Sequence, residues 1–305
     1  MSGFLVSMQG AVSQGVIWGI MALGVYITFR IMDIADLTVD GSFALGGCTC
    51  AVLMAVHGVN PILALVISTA AGFLAGAVTG ILHTVFEIPA ILAGILTQYS
   101  LWSINLRIMG QKSNIPLLNV DSIFTWMTDA TGLRQSTVVL IIGAVLVALL
   151  IWGLYWFFGT EMGAALRATG NNEEMIRALG VNVKVMKVLA LAISNGLVGL
   201  SGALYCQSSK VGDIQMGTGT IVIGLAAIVI GEVLVGKKRA FGSKLLSAVL
   251  GSVVFFLIRA VVMWLRIMEA NDTKLISAII VVLALCAPVL SDRWKQRKLY
   301  SKGDE

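Results

Sequence analysis

Nine apolar stretches, at about 11–29, 41–57, 62–82, 89–107, 136–158, 185–206, 219–236, 244–265 and 273–290, follow one another along this sequence. A helix needs roughly 20 residues to cross the hydrocarbon of a bilayer. In that solvent every backbone N–H and C=O must be satisfied internally, so spanning segments are helices or closed barrels. The period-two alternation of a membrane barrel is absent. The expected fold is all-α, a polytopic membrane helical bundle of about nine spans, within a range of eight to ten. Eight to ten spans take up about 160 to 200 residues, so residues 1–305 are expected to form a single transmembrane domain. Composition points the same way, with 58% hydrophobic and only 12% charged residues, where soluble domains carry about 25% charged. A soluble enzyme, a nucleic-acid-binding module and a disulfide-stapled secreted domain are excluded.

The net charge of +5 reads as topology rather than as a sign of an acidic partner, because Lys and Arg gather on cytoplasmic connections. One side of the expected bundle holds Arg30, Arg167, Arg177, Lys184, Lys187, Lys237, Lys238, Arg239, Lys244 and five cations of the tail 291–305. The other holds Arg107, Lys112, Arg134, Lys210, Arg259, Arg266 and Lys274. The division is fourteen to seven, which places the C-terminus in the cytoplasm and, with nine spans, the N-terminus outside. A re-entrant short segment would reverse the N-terminal side alone. The first 29 residues have no charged side chain; the basic start of a secretory signal is missing, and the N-terminus is expected to belong to the mature protein. Cys48, Cys50, Cys206 and Cys286 lie in or beside apolar runs with only His57 and His83 for company, which supports neither a disulfide framework nor a zinc site.

Two connections are long enough for structure of their own. The external one, 108–135, carries Gly110, Pro116, Trp126 and Gly132 and reads as a surface loop with a short interfacial helix. The internal one, 159–184, places Met162, Ala165, Leu166 and Thr169 at helical spacing. Gly170, Asn171 and Asn172 then supply a turn, and Glu173 to Leu179 a second amphipathic helix closed by Gly180. Two short helices on the cytoplasmic face suit docking of another protein; a merely solvated helical loop is the alternative.

The run from Arg30 to Ser42 holds Asp33, Asp36 and Asp40 between two apolar spans. Carboxylates are expensive in hydrocarbon. The run is therefore either a cytoplasmic turn with an N-cap aspartate or a helix break within the membrane with a fresh helix start near Asp40, Gly41 and Ser42. In the fourth span Gln98, Trp102 and Asn105 fall on one stripe, suited to a polar or aromatic solute pathway or to helix–helix hydrogen bonding. Asn195 and Glu232 are isolated polar residues of the same kind. Gly72, Gly76 and Gly80 repeat every fourth position, a pattern for close helix packing within the chain or across a dimer. Gly231 to Lys238 approaches a phosphate-binding P-loop, but Lys238 stands where Ser or Thr would hold magnesium and the run ends a span. There is no nucleophile with a partnered base and no metal-ligand cluster, so the chain is expected not to be an enzyme.

Two stretches resemble a known family. The run GVYITFRIMDIADLTVDGSFALGG, Gly24 to Gly47, resembles the second-span region of bacterial ABC importer permeases of the branched-chain amino-acid and ribose type. Asp36, Thr38, Gly41 and Ser42 match its Asp-Leu-Ser-Val-Gly-Ser-like sequence, with Asp40 as an additional residue. The segment Gly163 to Asn172, continuing to Asn182, is similar to the family's cytoplasmic coupling region, where Gly163, Ala164, Arg167, Ala168, Gly170, Ala178 and Gly180 match the ATPase-facing pattern. The resemblance covers roughly residues 10 to 290. It implies a multi-pass protein of the bacterial inner membrane that pairs with a second permease copy or a paralogue. It also implies two cytoplasmic ATPase subunits that carry ATP and magnesium, an extracytoplasmic solute-binding protein, and no cofactor in this chain. The implied solute is small: an amino acid, branched-chain or aromatic, with sugars and nucleosides as the family's other classes. Asp36, Thr38, Asp40, Ser42, Gln98, Trp102, Asn105 and Asn195 are the expected pathway residues, and Arg167 the expected partner of an ATPase carboxylate unless it faces lipid phosphates. The competing readings are a secondary transporter or channel driven by an ion gradient, which would use Glu232, and a membrane scaffold without transport.

Overall fold

The structure, a computed structural model, describes residues 2–236, 240–265, 275, 277–283 and 286. Its elements in chain order are α1 (Ser2–Tyr26), extended by a π-helical turn (Ile27–Ile31), α2 (Thr38–Ala55), α3 (Pro61–Thr84), α4 (Ala90–Ile108), β1 (Asn114–Pro116) and α5 (Ile123–Thr131). Then come α6 (Gln135–Gly159), α7 (Glu161–Asn171), α8 (Glu173–Ala178), α9 (Val183–Ser209), β2 (Val211–Asp213), a 3-10 turn (Ile214–Gly217), α10 (Thr220–Val235) and α11 (Phe241–Trp264). The bundle is helical as expected, and among the described residues seven helical segments are long and apolar enough to cross a membrane. The expected span at 89–107 forms as α4, which has spanning length with 19 residues but is too polar to join those seven. Half of the expected span at 273–290 lies outside the described residues, as does all of the tail 291–305. The described residues therefore do not reach the count of about nine.

The long helix α9 is the axis of the bundle and packs against α1, α2 and α3. A Cβ placed on Gly72, Gly76 or Gly80 would come within 2.4 Å of Asn195 O, 2.2 Å of Leu191 O and 2.7 Å of Val188 Cα. The small-residue repeat is thus an interface inside one chain, α3 on α9, where close backbone approach supplies the packing that lipid cannot.

Two stretches are not α-helical at the depth of the bundle. The first, 32–37, leaves the π-turn beside Gly170 of α7 and reaches Asp36, which meets Asn195 at the middle of α9. The aspartate-rich run is therefore a helix break inside the bundle, not a turn at its end. The second, 210–219, returns from the far end of α9 along α2: Gly212 lies against Ala51, Met216 against Gly47, and Gly217 against Asp40 and Ala44. From residue 51 to residue 40 is about 16 Å of helix. Only then does α10 begin, and its 16 residues rise about 24 Å, short of the roughly 30 Å hydrocarbon core. Irregular backbone survives there because it is enclosed by protein. β1 pairs antiparallel with β2, Ile115 opposite Gly212, and Asp213 accepts from Gln215 N at 2.7 Å.

Candidate functional site

The two interrupted helices start side by side, and aspartates hold both starts. Asp36 Oδ1 accepts from Thr38 N at 2.9 Å, the first residue of α2, while its Oδ2 accepts from Asn195 Nδ2 at 2.7 Å. Thr38 and Thr79 share a hydroxyl–hydroxyl bond at 2.8 Å, tying the start of α2 to α3. Asp36, Thr38, Ser42 and Asn195 are all buried.

Asp40 caps a helix that is not its own. The residue before α10 is Gly219, which has no side chain to bond the orphan N–H groups of the first turn. Asp40 supplies the missing acceptor, with Oδ2 taking Gly219 N at 2.9 Å and Oδ1 taking Ile221 N at 2.9 Å and Thr220 Oγ1 at 2.8 Å. The far end of α10 is fixed as well, because Glu232 forms an ion pair with Arg30 on the π-turn. Both ends of α10 are thus held by one stretch of chain, residues 30–40.

Beside this cap is a cavity of about 30 Å³ lined by Asp40, Gly41, Gln98, Trp102, Asn105 and Gly217, among others. Four of the expected pathway residues, Asp40, Gln98, Trp102 and Asn105, meet there. The other four, Asp36, Thr38, Ser42 and Asn195, sit in the packed junction of α2, α3 and α9. Asn105 is 1% exposed and its Oδ1 has no hydrogen-bond partner among the described residues. A cavity of this size has room for about one water, not for a solute. Trp102, which lines this cavity, and Tyr99 are 46% and 75% exposed. Sequence reasoning missed Gly217, Thr218 and Thr220; the signal was the cluster Gly212, Asp213, Gly217 and Gly219 just ahead of an apolar run.

Below the break lies the paired element α7–α8. Thr160 caps α7 by accepting from Gly163 N, and Asn172 caps α8 by accepting from Met175 N at 3.0 Å. Leu166 and Thr169 are buried, whereas Met162, expected on the same face, is half exposed. Of the seven residues expected to face an ATPase, Ala164, Arg167, Ala178 and Gly180 are exposed and Ala168 is half-buried. Gly163 and Gly170 instead face the bundle: a Cβ on Gly163 would lie 2.2 Å from Phe157 O, and one on Gly170 1.8 Å from Ile31 O. Arg167 stacks over Phe241 at 5.3 Å. Met162, Met175 and Leu179 add apolar surface to an exposed side that also carries Glu161, Arg167, Glu174 and Arg177.

The sequence profile of the family described as "Branched-chain amino acid transport system / permease component" matches residues 7–285. The chain belongs to this permease family. Among its relatives is a "Tyrosine transport system permease protein" of Clostridioides difficile, 40% identical over 281 residues, covering 91% of each chain. The "Ribose import permease protein RbsC" of Escherichia coli is 28% identical over 235 residues, 76% of this chain and 71% of that one. "PsaBC from Streptococcus pneumoniae in complex with Fab" shares the fold, with a TM-score of 0.50 at 17% identity over 90% of both chains. For a permease of this family, the departure at Asp40 from the expected sequence pattern has a structural role, as the trans-acting cap of α10.

Proposed function

We propose that this chain is the membrane-spanning subunit of an ATP-driven importer of the bacterial inner membrane, with α7–α8 as its coupling element and its C-terminal tail in the cytoplasm. The solute is an amino acid, aromatic in preference to branched-chain, handed over by an extracytoplasmic binding protein. One observation carries the mechanical part. Gly170 of α7 rests on Ile31 and Met32, where the chain leaves helix and climbs to Asp36 and Asp40. A rigid shift of α7 has no compliant side chain to absorb it and is passed to the break. The stretch 30–40 that contains the break holds α10 at both ends, so α2 and α10 move together and the cavity at Asn105 opens. ATPase subunits that close on ATP and magnesium would supply that shift, and a second copy or paralogue would complete the pathway along α4.

The 40% identity to a tyrosine permease and the exposed Tyr99 and Trp102 support an aromatic solute, since aromatic rings stack on one another. A sugar is the second reading, supported by the ribose permease relative. The ion-gradient alternative loses its main feature, because Glu232 is engaged by Arg30.

Arg167→Glu tests the coupling assignment. The variant is expected to insert and fold, and to lose about tenfold or more of ATP-driven uptake, equivalent to 1.4 kcal/mol, with Arg167→Lys in between. Uptake by Arg167→Glu at the wild-type rate in proteoliposomes containing the ATPase would remove Arg167 from the interface.

A further inference from the structure

A cavity of about 490 Å³ opens between the π-turn, α7 and the start of α11, lined among others by Tyr26, Arg30, Arg167, Gly170, Phe241 and Lys244. Its size is in the range of ligand pockets. Three cations converge on it from three elements, and only Arg30 has a carboxylate partner, Glu232. Arg167 has the Phe241 ring and Lys244 has no ion pair among the described residues, which leaves two positive charges uncompensated across one cavity. Tyr26 is 5% exposed, lines the same cavity and has a hydroxyl with no hydrogen-bond partner among the described residues. That hydroxyl is free to donate to an acceptor that enters the cavity from outside. An acceptor that also neutralises an arginine and a lysine is an oxyanion with several oxygens, and guanidinium groups suit phosphate in particular.

We propose that this cavity binds a phosphate group, and that the headgroup of an anionic phospholipid supplies it. The cavity lies at the α7–α8 end of the bundle, the end at which positive charge gathers. Basic pockets between spanning helices on that side of a membrane receive anionic headgroups. A bound phosphate bridges α7 to α1 and α11, with Tyr26 O–H donating to one oxygen and Lys244 and Arg167 facing the others. It thereby fixes the seat of the coupling helix against the break.

The test uses the full-length chain, purified in mild detergent with whatever accompanies it, and fluorescent phosphatidylglycerol as the probe. Saturable binding is expected, weakened about fivefold in Lys244→Gln, the loss of one cation near the surface, and restored in Lys244→Arg. Tyr26→Phe removes a hydroxyl with no hydrogen-bond partner among the described residues, so the fold is kept and binding weakens again. Competition assigns the source. Displacement by unlabelled phosphatidylglycerol but not by millimolar inorganic phosphate or glycerol phosphate confirms the lipid; equal displacement by inorganic phosphate keeps the phosphate site and overturns the lipid assignment. Binding that is unsaturable, or unchanged in both Lys244→Gln and Tyr26→Phe, overturns the site. So does a Lys244→Gln chain that binds lipid normally and is altered only in its affinity for an ATPase.

Discussion

Asp40→Ala is expected to bring uptake down by more than tenfold per folded molecule, with a lower melting midpoint and a chain that still inserts. The substitution strips the first turn of α10 of three hydrogen bonds to a carboxylate. Bonds to charged groups contribute about 1.5–3 kcal/mol each, and losing an N-cap costs about 1 kcal/mol, so a total of about 3 kcal/mol is expected for a partly buried cap with some water access. The effect on uptake is the larger because the cap is also a linkage. Without it Glu232 is the remaining polar tie, among the described residues, between α10 and the stretch 30–40, and motion of that stretch is expected no longer to carry the helix start. Asp40→Asn keeps an acceptor oxygen toward Thr220 and Ile221 but turns an NH₂ toward Gly219 N–H, so it should fall between alanine and wild type. Uptake in proteoliposomes, normalised to folded protein, and thermal unfolding in detergent check the pair. Unchanged uptake by Asp40→Ala would reduce the cap to a local structural contact.

Gly170→Val is expected to leave an assembled complex in which ATP hydrolysis by the partner ATPase no longer drives transport. The added Cβ would sit 1.8 Å from Ile31 O and 2.8 Å from Met32 Cα. These are backbone atoms, so α7 must lift away from the π-turn. Overpacking of this kind costs about 1–3 kcal/mol, and the lift separates the coupling element from the break it acts on. Gly153→Val is the matched control, since a Cβ at Gly153 meets nothing within 4 Å. The expected readout is a large fall in solute moved per ATP for Gly170→Val and none for Gly153→Val. Equal coupling in the two variants would show that the Gly170 contact transmits nothing.

The helices were legible because bilayer hydrocarbon leaves a chain few options: length and apolar content located α2 to α4, α6 and α9 to α11 to within a few residues, whereas α1 begins at Ser2, nine residues before the expected start. The α7–α8 pair was legible from helical spacing and from Gly180, which takes φ +83° as the turn requires. Met162 was misplaced because spacing names two faces of a short helix without saying which one the bundle covers. The aspartate-rich run left two readings open, a turn or a break, since both need a helix start at the same residues. What separates them is depth, and depth is set by Asn195 on a helix some 160 residues away. The return segment 210–219 was invisible for a related reason. Its residues read as an ordinary external connection, and only the cap by Asp40 and the pairing with β1 draw it down beside α2. The Arg30–Glu232 ion pair likewise joins two spans that sequence alone gives no reason to place together.

The most direct test of the account is transport by the purified chain with the proteins that accompany it from its native membrane. The complex should contain an ATPase with a phosphate-binding loop. In liposomes it should accumulate tyrosine or a related amino acid only with ATP, magnesium and a solute-binding protein all present. A chain that comes out alone and passes solute at the same rate with and without ATP would contradict the importer reading.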